Sequence, residues 1–159
     1  MRKLIFAAST TLVSIAIDQF TKNIATQYLI AREPISFLGD SVRLIYSVNH
    51  GAFLGLGSSL PEGLRNFIFS TLVGIFLLGF GIYILRERHS MNNLQMQACA
   101  LVFSGGISNL YDRITNNGGV VDFMYMGIGW LHTGIFNVAD IAIMAGVGLL
   151  LFTSGKIGK

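Results

Sequence analysis

The chain has 159 residues, the length of one ordinary domain, and a formal net charge of +3. Hydrophobic residues make up 52% of it and charged residues only 12%, about half the share that soluble globular proteins carry. This balance excludes an ordinary soluble protein, and the 11 Lys and Arg residues form no cluster that would indicate nucleic-acid binding.

Four apolar segments of about 18–22 residues predict membrane-spanning helices, because about 20 helical residues cross the hydrocarbon core of a bilayer. They cover about residues 4–25, 67–85, 94–111 and 135–153, so the whole chain, 1–159, is predicted to be one transmembrane domain. The first segment also resembles a secretory signal peptide, but no small-residue cleavage site follows its apolar run. We therefore expect it to be retained as a helix.

Glycines inside the second and fourth segments are expected to allow close packing between helices in a membrane. They are Gly74, Gly79, Gly81, Gly146 and Gly148.

The short loops predict the orientation of the four helices, because Lys and Arg favour the cytoplasmic side of a membrane. Basic residues precede the first segment, occupy the short loop after the second and follow the fourth, whereas residues 114–134 include no Lys or Arg. Both termini are therefore predicted to be cytoplasmic, and the loops 26–66 and 114–134 are predicted to be extracytoplasmic.

The two outer loops contain patterns that are typical of β-structure. Apolar residues alternate with more polar ones in "SVRLIYSVN", which predicts a strand within residues 41–49. The glycines in "NNGG", residues 116–119, predict a tight turn before a short strand from Val120 to Tyr125. The predicted fold is an all-α integral membrane protein with four transmembrane helices and a small extracytoplasmic β element.

With this orientation, polar residues from three helices and their outer loops lie at one membrane depth, near the outer face. Ionisable groups in a membrane are expensive and indicate function, so a shared polar cavity is expected. Lys22 lies one turn after Asp18, and the two are either a snorkelling ion pair that fixes the depth of the helix or support for an active site. Asn109 and Asn137 are expected to form hydrogen bonds between helices.

Asp122 and Asp140 lie among apolar neighbours, and neither has a basic residue within eight positions. If the two carboxyl groups meet, burial and mutual repulsion should make them share one proton. Such a pair can activate water to attack an amide carbonyl. A proton relay or a non-catalytic lipid-binding protein remains open as an alternative, although the inner halves of the four segments lack the acidic residues that a complete relay needs. No Cys and His spacing indicates a metal site.

Five short motifs occur in an order that is characteristic of one protein family. They are "DQFTK" (18–22), "NHGAF" (49–53), "NLYDR" (109–113), "VVDF" (120–123) and "FNVAD" (136–140). Through them the chain resembles the bacterial lipoprotein signal peptidases, also called signal peptidase II or prolipoprotein signal peptidase, over nearly its whole length. The resemblance implies an aspartic endopeptidase of the bacterial inner membrane, with its active site near the periplasmic face. It would remove the signal peptide from diacylglyceryl-modified prolipoproteins by cutting before the lipidated Cys.

The resemblance also implies the roles of individual residues. Asp122 and Asp140 would be the catalytic pair. The residues that would shape and polarise the site are Asp18, Lys22, Asn49, Gly51, Asn109, Arg113 and Asn137. It implies no cofactor, and its partners would be the prolipoprotein substrate, membrane lipids and inhibitors of the globomycin type. We expect a monomer that binds no nucleic acid.

The chain departs from the usual family pattern close to these residues. Ser104 stands where the family has the first Gly of a glycine-rich run, and Ser108 stands where it has Gly directly before Asn109. The turn between Arg113 and Val120 is also slightly longer than is common in the family. These differences bear on the local fit of substrate and inhibitor, whereas both aspartates are in place.

Overall fold

The computed structural model describes residues 2–50 and 61–154, which form four α-helices and one small antiparallel sheet. The helices are α1 (Arg2–Leu29), α2 (Glu62–Glu87), α3 (Asn93–Thr115) and α4 (Val138–Ser154). The strands are β1 (Ile35–Phe37), β2 (Val42–Asn49), β3 (Val120–Ile128) and β4 (Leu131–His132), in the order β1-β2-β3-β4. The predicted combination of four helices with a small β element is confirmed.

Helix α3 is the central helix, and α1, α2 and α4 each pack against it. A capping box satisfies its N-terminus, where the Asn92 side chain accepts from the backbone N–H of Gln95 and the Gln95 side chain accepts from that of Asn92. Many residues on its buried faces are small, among them Ala98 and Ser104. Small side chains let neighbouring backbones approach, which explains how one helix can contact three others.

Two of the described helices are long and apolar enough to cross a membrane, namely α1 and residues 66–87 of α2. Helix α4 is apolar but shorter, since it has only 17 residues. Helix α3 has 23 residues but is more polar, because it carries buried polar residues that the other three helices cover. Length and composition therefore support two of the four predicted spans directly, and the crossing by α3 and α4 stays a prediction.

The expectation about glycines holds at some positions and is wrong at others. A Cβ at Gly146 would lie only 2.6 Å from a backbone oxygen of α3, so this glycine does permit close packing. A Cβ at Gly81 or Gly74 would lie 3.3 or 3.9 Å from a side chain of α3. At Gly79 and Gly148 it would meet nothing within 4 Å, because these positions face away from the other helices.

Gly105 of α3 lies directly against α4, and replacing it should disturb the packing of these two helices. A Cβ at this position would overlap the backbone oxygen of Ala139 and lie 2.7 Å from Cγ1 of Ile143. We expect Gly105→Ala to lower the free energy of unfolding by about 1–3 kcal/mol, as overpacking typically does, and to displace the first turn of α4. Thermal unfolding in detergent measures the loss of stability.

Gly148→Ala is the matched control, because its Cβ would enter open space and Ala favours helix over Gly. It should leave stability unchanged or slightly higher. Equal destabilisation by the two substitutions would show that close packing of α3 and α4 is not the cause.

The sheet lies at the end of the bundle where α1 and α3 end and α4 begins. Strands β2 and β3 pair in an antiparallel manner, with Ser47 opposite Asp122 and an irregularity between Leu44 and Ser47. Both predicted strands are therefore present, and β3 runs three residues beyond the predicted end at Tyr125. The turn that leads into β3 has positive φ at Asn117 and Gly118, as "NNGG" predicted.

Candidate active site

The polar residues predicted to share one depth do converge at the sheet end of the bundle. In the part of the chain that the structure describes, six of them are at most 7% exposed: Asp18, Lys22, Asn109, Asp112, Asp122 and Asn137. Asp140 is partly buried beside them. Groups from α1, α3, β3 and α4 thus form one connected site.

Asp140 is positioned by the N-terminus of α4, which begins directly after Asn137. The backbone N–H of Asp140 donates to Oδ1 of Asn137 (2.9 Å), and Oδ2 of Asp140 accepts from the backbone N–H of Asn137 (3.0 Å). This reciprocal pair is a capping box with Asn and Asp in place of the usual Ser and Glu. The other oxygen, Oδ1, accepts from Nδ2 of Asn109 on α3 (3.0 Å). Two helices therefore fix the carboxylate.

Asp122 approaches the same residues from the sheet. In β3 it alternates with Phe123, so the two side chains point to opposite faces; Phe123 packs with Ala25 and Leu29 of α1. Oδ1 of Asp122 accepts from Nδ2 of Asn137 (2.7 Å), and Oδ2 accepts from Nδ2 of Asn49 (3.1 Å).

Asn137 therefore contacts both candidate catalytic aspartates. Its side-chain NH₂ donates to Asp122, while its side-chain oxygen and backbone N–H bond to Asp140. Its Nδ2 also donates to Oδ1 of Asn109 on α3 (3.2 Å), which is the kind of hydrogen bond that was predicted for these two asparagines. One residue thus joins two carboxyl groups that are eighteen positions apart in sequence.

Burial raises the pKa of Asp122 to about 6, well above the usual range of an Asp side chain. The nearby Asp140 carboxylate raises it further, whereas hydrogen bonds from Asn49 and Asn137 and the charge of Lys22 lower the pKa. Asp122 therefore tends to keep its proton below about pH 6 and to lose it above that.

Lys22 is the buried cation of the site. Its Nζ lies 2.7 Å from Oδ2 of Asp18, 2.9 Å from Oδ2 of Asp112 and 2.9 Å from Oδ1 of Asn109. The predicted ion pair between Lys22 and Asp18 is present, but the Lys22 side chain is only 4% exposed and so does not extend to the surface as a snorkelling side chain would. The ammonium group instead binds α1 to α3 within the site.

Asp18 connects α1 to the first turn of α4. Its Oδ1 accepts from the backbone N–H of Ala139 (2.7 Å), one of the N–H groups that a helix leaves unpaired at its start. Its Oδ2 accepts from Oγ of Ser108 (2.7 Å) and binds Lys22. Asp18 therefore holds in place the helix turn that carries Asp140.

Arg113 supplies positive charge at the edge of the site. It donates from Nη1 to the backbone oxygen of Asn109 (3.2 Å) and interacts electrostatically with Asp140, Asp122 and Asp112. Of the other residues implied by the family resemblance, Asn49 contacts Asp122, and Gly51 lies outside the described residues.

Two residues of the network received no role from sequence reasoning. Nε2 of Gln19 donates to Oδ1 of Asp112 (2.8 Å) and to Oγ of Ser108 (2.9 Å). Ser108, noted only as a departure from the family pattern, is fully buried between Gln19 and Asp18. The i, i+3 spacing of Gln19 and Lys22 could have placed Gln19 on the buried face of α1. Nothing in the sequence could have paired Ser108 with Asp18.

The carboxyl groups of Asp122 and Asp140 have different surroundings, so they can take different roles in proton transfer. Asp122 holds a proton more readily than an ordinary Asp side chain does, whereas Asp140 accepts two hydrogen bonds at a helix N-terminus, where negative charge is favoured. Across residues 2–50 and 61–154, no group of three His, Cys, Asp or Glu side chains is arranged to hold a metal ion.

Comparisons with known proteins identify close relatives over most of the chain. A family model described as "Signal peptidase (SPase) II" matches residues 10–156. The lipoprotein signal peptidase of Actinobacillus succinogenes is 36% identical over 149 residues, which cover 92% of this chain and 88% of that protein. That of Borrelia hermsii is 33% identical over 144 residues, covering 87% and 83%. A bacterial membrane enzyme solved by the in meso method at 1.9 Å has a TM-score of 0.76 and 26% identity, covering 93% of this chain and 91% of its own.

Proposed function

The chain belongs to the signal peptidase II family, and we propose that Asp122 and Asp140 are the catalytic pair with which it removes signal peptides from prolipoproteins. The observation that carries this proposal is the position of Asn137, which forms hydrogen bonds with both aspartates. The same observation supports the proposal that the enzyme is an aspartic endopeptidase.

The unequal surroundings of the two carboxyl groups support different roles for them. Asp140, ionised at the start of α4, would take a proton from water as the oxygen of that water attacks the scissile carbonyl. Asp122, protonated, would donate a hydrogen bond to the carbonyl oxygen and stabilise the developing negative charge. When the tetrahedral intermediate collapses, the C–N bond breaks and the proton on Asp140 passes to the leaving amine.

Membrane topology would bring the substrate to this pair. We give the name polar layer to the converging polar residues Asp18, Lys22, Asn109, Asp112, Arg113, Asp122, Asn137 and Asp140. With four spans and cytoplasmic termini, this layer would lie near the outer face of the inner membrane. A diacylglyceryl-modified Cys would enter laterally from the bilayer, since its chains would leave lipid only at about 0.8 kcal/mol per exposed CH₂. Peptide inhibitors of the globomycin type would bind at the same layer.

A proton relay across the membrane receives less support from this geometry. A relay needs ionisable groups along the membrane depth. The buried acidic side chains of the described residues, Asp18, Asp112 and Asp122, all lie in the polar layer together with Asp140.

The direct test is incubation of the purified protein with a diacylglyceryl-modified precursor and with the same precursor lacking the lipid. We expect release of the signal peptide from the lipidated form, and equal release in the presence of a chelator. Release that stops with the chelator and returns with added metal ion would contradict a mechanism based on two aspartates alone.

The pH dependence of this reaction should reflect the hydrogen bond from Asn49 to Asp122. If Asp122 acts as the acid, activity falls as pH rises through its pKa of about 6. The Asn49 donor lowers that pKa, so we expect Asn49→Ala to move the falling limb of the kcat/KM profile to higher pH. The control is Asn23→Ala, an exposed Asn on α1 bonded to Gln27. If the falling limb of the kcat/KM profile moves to lower pH in Asn49→Ala, Asp122 is not the acid.

A further inference from the structure

At the end of the bundle opposite the polar layer, helices α1 and α2 leave an apolar groove between them. In the described part of the chain the backbones of these two helices do not approach each other closely, and α3 forms the floor between them. The groove encloses about 380 Å³. Its lining is almost entirely apolar and includes Ala7, Leu77, Ile84, Met96 and Phe103.

A basic pocket adjoins this groove at the end of the helices. It encloses about 520 Å³ and is lined by Arg2, Lys3, Leu4, Arg88 and His89. Leu4 lines the groove as well, so the two cavities are neighbours.

Hydrogen bonds to backbone oxygens hold two of the basic side chains in place. Nζ of Lys3 donates to the backbone oxygen of Met91 (2.8 Å), and the Arg88 guanidinium donates to that of Leu85. The apolar groove therefore has basic side chains beside one of its ends.

We propose that these two cavities form a binding site for an anionic phospholipid. An acyl chain would fill the groove between α1 and α2, and the headgroup phosphate would bind in the basic pocket. The apolar groove matches a hydrocarbon chain, and the charge at its end matches a phosphate rather than a cation. The lipid would thereby fill the space between α1 and α2.

The charge of the pocket also argues against the signal helix of the substrate as the occupant. Signal peptides carry a positively charged segment before their apolar run. A signal helix in this groove with its cleavage site toward the polar layer would place that segment beside Arg2 and Arg88, where like charges repel. The negative charge of an anionic headgroup would instead be attracted to these two side chains.

The headgroup part of the site can be tested by native mass spectrometry of the full chain in neutral detergent. Phosphatidylglycerol and phosphatidylcholine with identical acyl chains are added separately, and glycerol phosphate serves as a headgroup without chains. We expect one phosphatidylglycerol to be retained in preference to phosphatidylcholine, and glycerol phosphate to be retained far less. Equal retention of both lipids, or full retention of glycerol phosphate, would overturn the proposal.

Matched variants separate a defined site from general attraction between a basic surface and anionic lipid. Arg2→Gln/Arg88→Gln should reduce phosphatidylglycerol retention at least tenfold. Arg86→Gln removes a charge from the last turn of α2, but Arg86 does not line the pocket, so retention should persist. If Arg86→Gln lowers retention as much as the double variant does, attraction is general and the site is refuted.

The acyl part of the site needs a steric variant. Ala8 lines the groove, whereas Leu12 is exposed on α1 outside it. Ala8→Trp should block retention of phosphatidylglycerol and Leu12→Trp should not. Unchanged retention in folded Ala8→Trp, with folding checked by thermal unfolding, would show that no acyl chain occupies the groove. Neither position belongs to the polar layer, so these results are independent of the catalytic assignment.

Discussion

Asp122→Asn and Asp140→Asn should each reduce cleavage of a lipidated precursor by about 10²–10⁴-fold, because each removes one proton-transfer group from the proposed pair. Asn has nearly the shape of Asp, so the backbone of β3 and the start of α4 should keep their positions. Asp140→Asn still offers an oxygen to Asn109, and Asp122→Asn still offers one to Asn137. The loss should therefore appear in kcat rather than in the amount of folded protein.

The measurement is the initial rate of signal-peptide release by purified variants, with thermal unfolding as the check on folding. Asp40→Asn is the matched control, because Asp40 is an exposed carboxylate paired with Arg43 outside the site. It should cleave at the rate of the unchanged protein. Near-normal cleavage by either site variant would eliminate the paired mechanism, whatever the family of the chain.

The local parts of this site could be predicted from sequence because they depend on short spacings. Asn137 and Asp140 are three residues apart at the start of an apolar segment, and that spacing is what a capping box needs. The strand alternation that turns Asp122 away from Phe123 is equally local. Both follow from backbone geometry, without knowledge of how the helices pack.

The environment of Lys22 could not be predicted in this way. A Lys near the end of an apolar helix is expected to extend to the membrane surface, and only the packing of α3 against α1 encloses it. The contacts of Ser108 with Asp18 and of Asp18 with Ala139 join residues about 90 and 121 positions apart, and no spacing rule reaches that far. The same limit explains the errors at Gly79 and Gly148, where orientation depends on which helices are neighbours.

Lys22→Met should cause the largest loss of stability among substitutions in the polar layer. Methionine fills similar space but leaves Asp18 and Asp112 buried without their cation. Removing one partner of a buried ion pair costs about 3–5 kcal/mol, because the remaining charge is uncompensated. We expect a loss of this size in the free energy of unfolding, measured by denaturant titration in mixed micelles.

A second substitution distinguishes loss of charge balance from loss of packing. Asp112→Asn removes one of the two carboxylates that Lys22 neutralises. Its single amide oxygen can still accept from either Gln19 or the backbone N–H of Val121, which bond to different oxygens of Asp112. Lys22→Met/Asp112→Asn should therefore be more stable than Lys22→Met, with a coupling free energy of about 0.5–3 kcal/mol. Additive losses would mean that Lys22 acts through packing alone.

Activity measured per folded molecule separates support from catalysis. Lys22 bonds to Asp18, Asp112 and Asn109 rather than to the catalytic pair. It acts on the pair through these residues and through its charge, which lowers the pKa of Asp122. Folded Lys22→Met should therefore lose less kcat than either Asp122→Asn or Asp140→Asn. A loss equal to theirs, at every pH tested, would instead place the ammonium group in the proton transfer itself. The distinction matters because, among the described residues, the four carboxylates of the layer outnumber its two cations, Lys22 and Arg113, so a proton on Asp122 lowers the remaining repulsion.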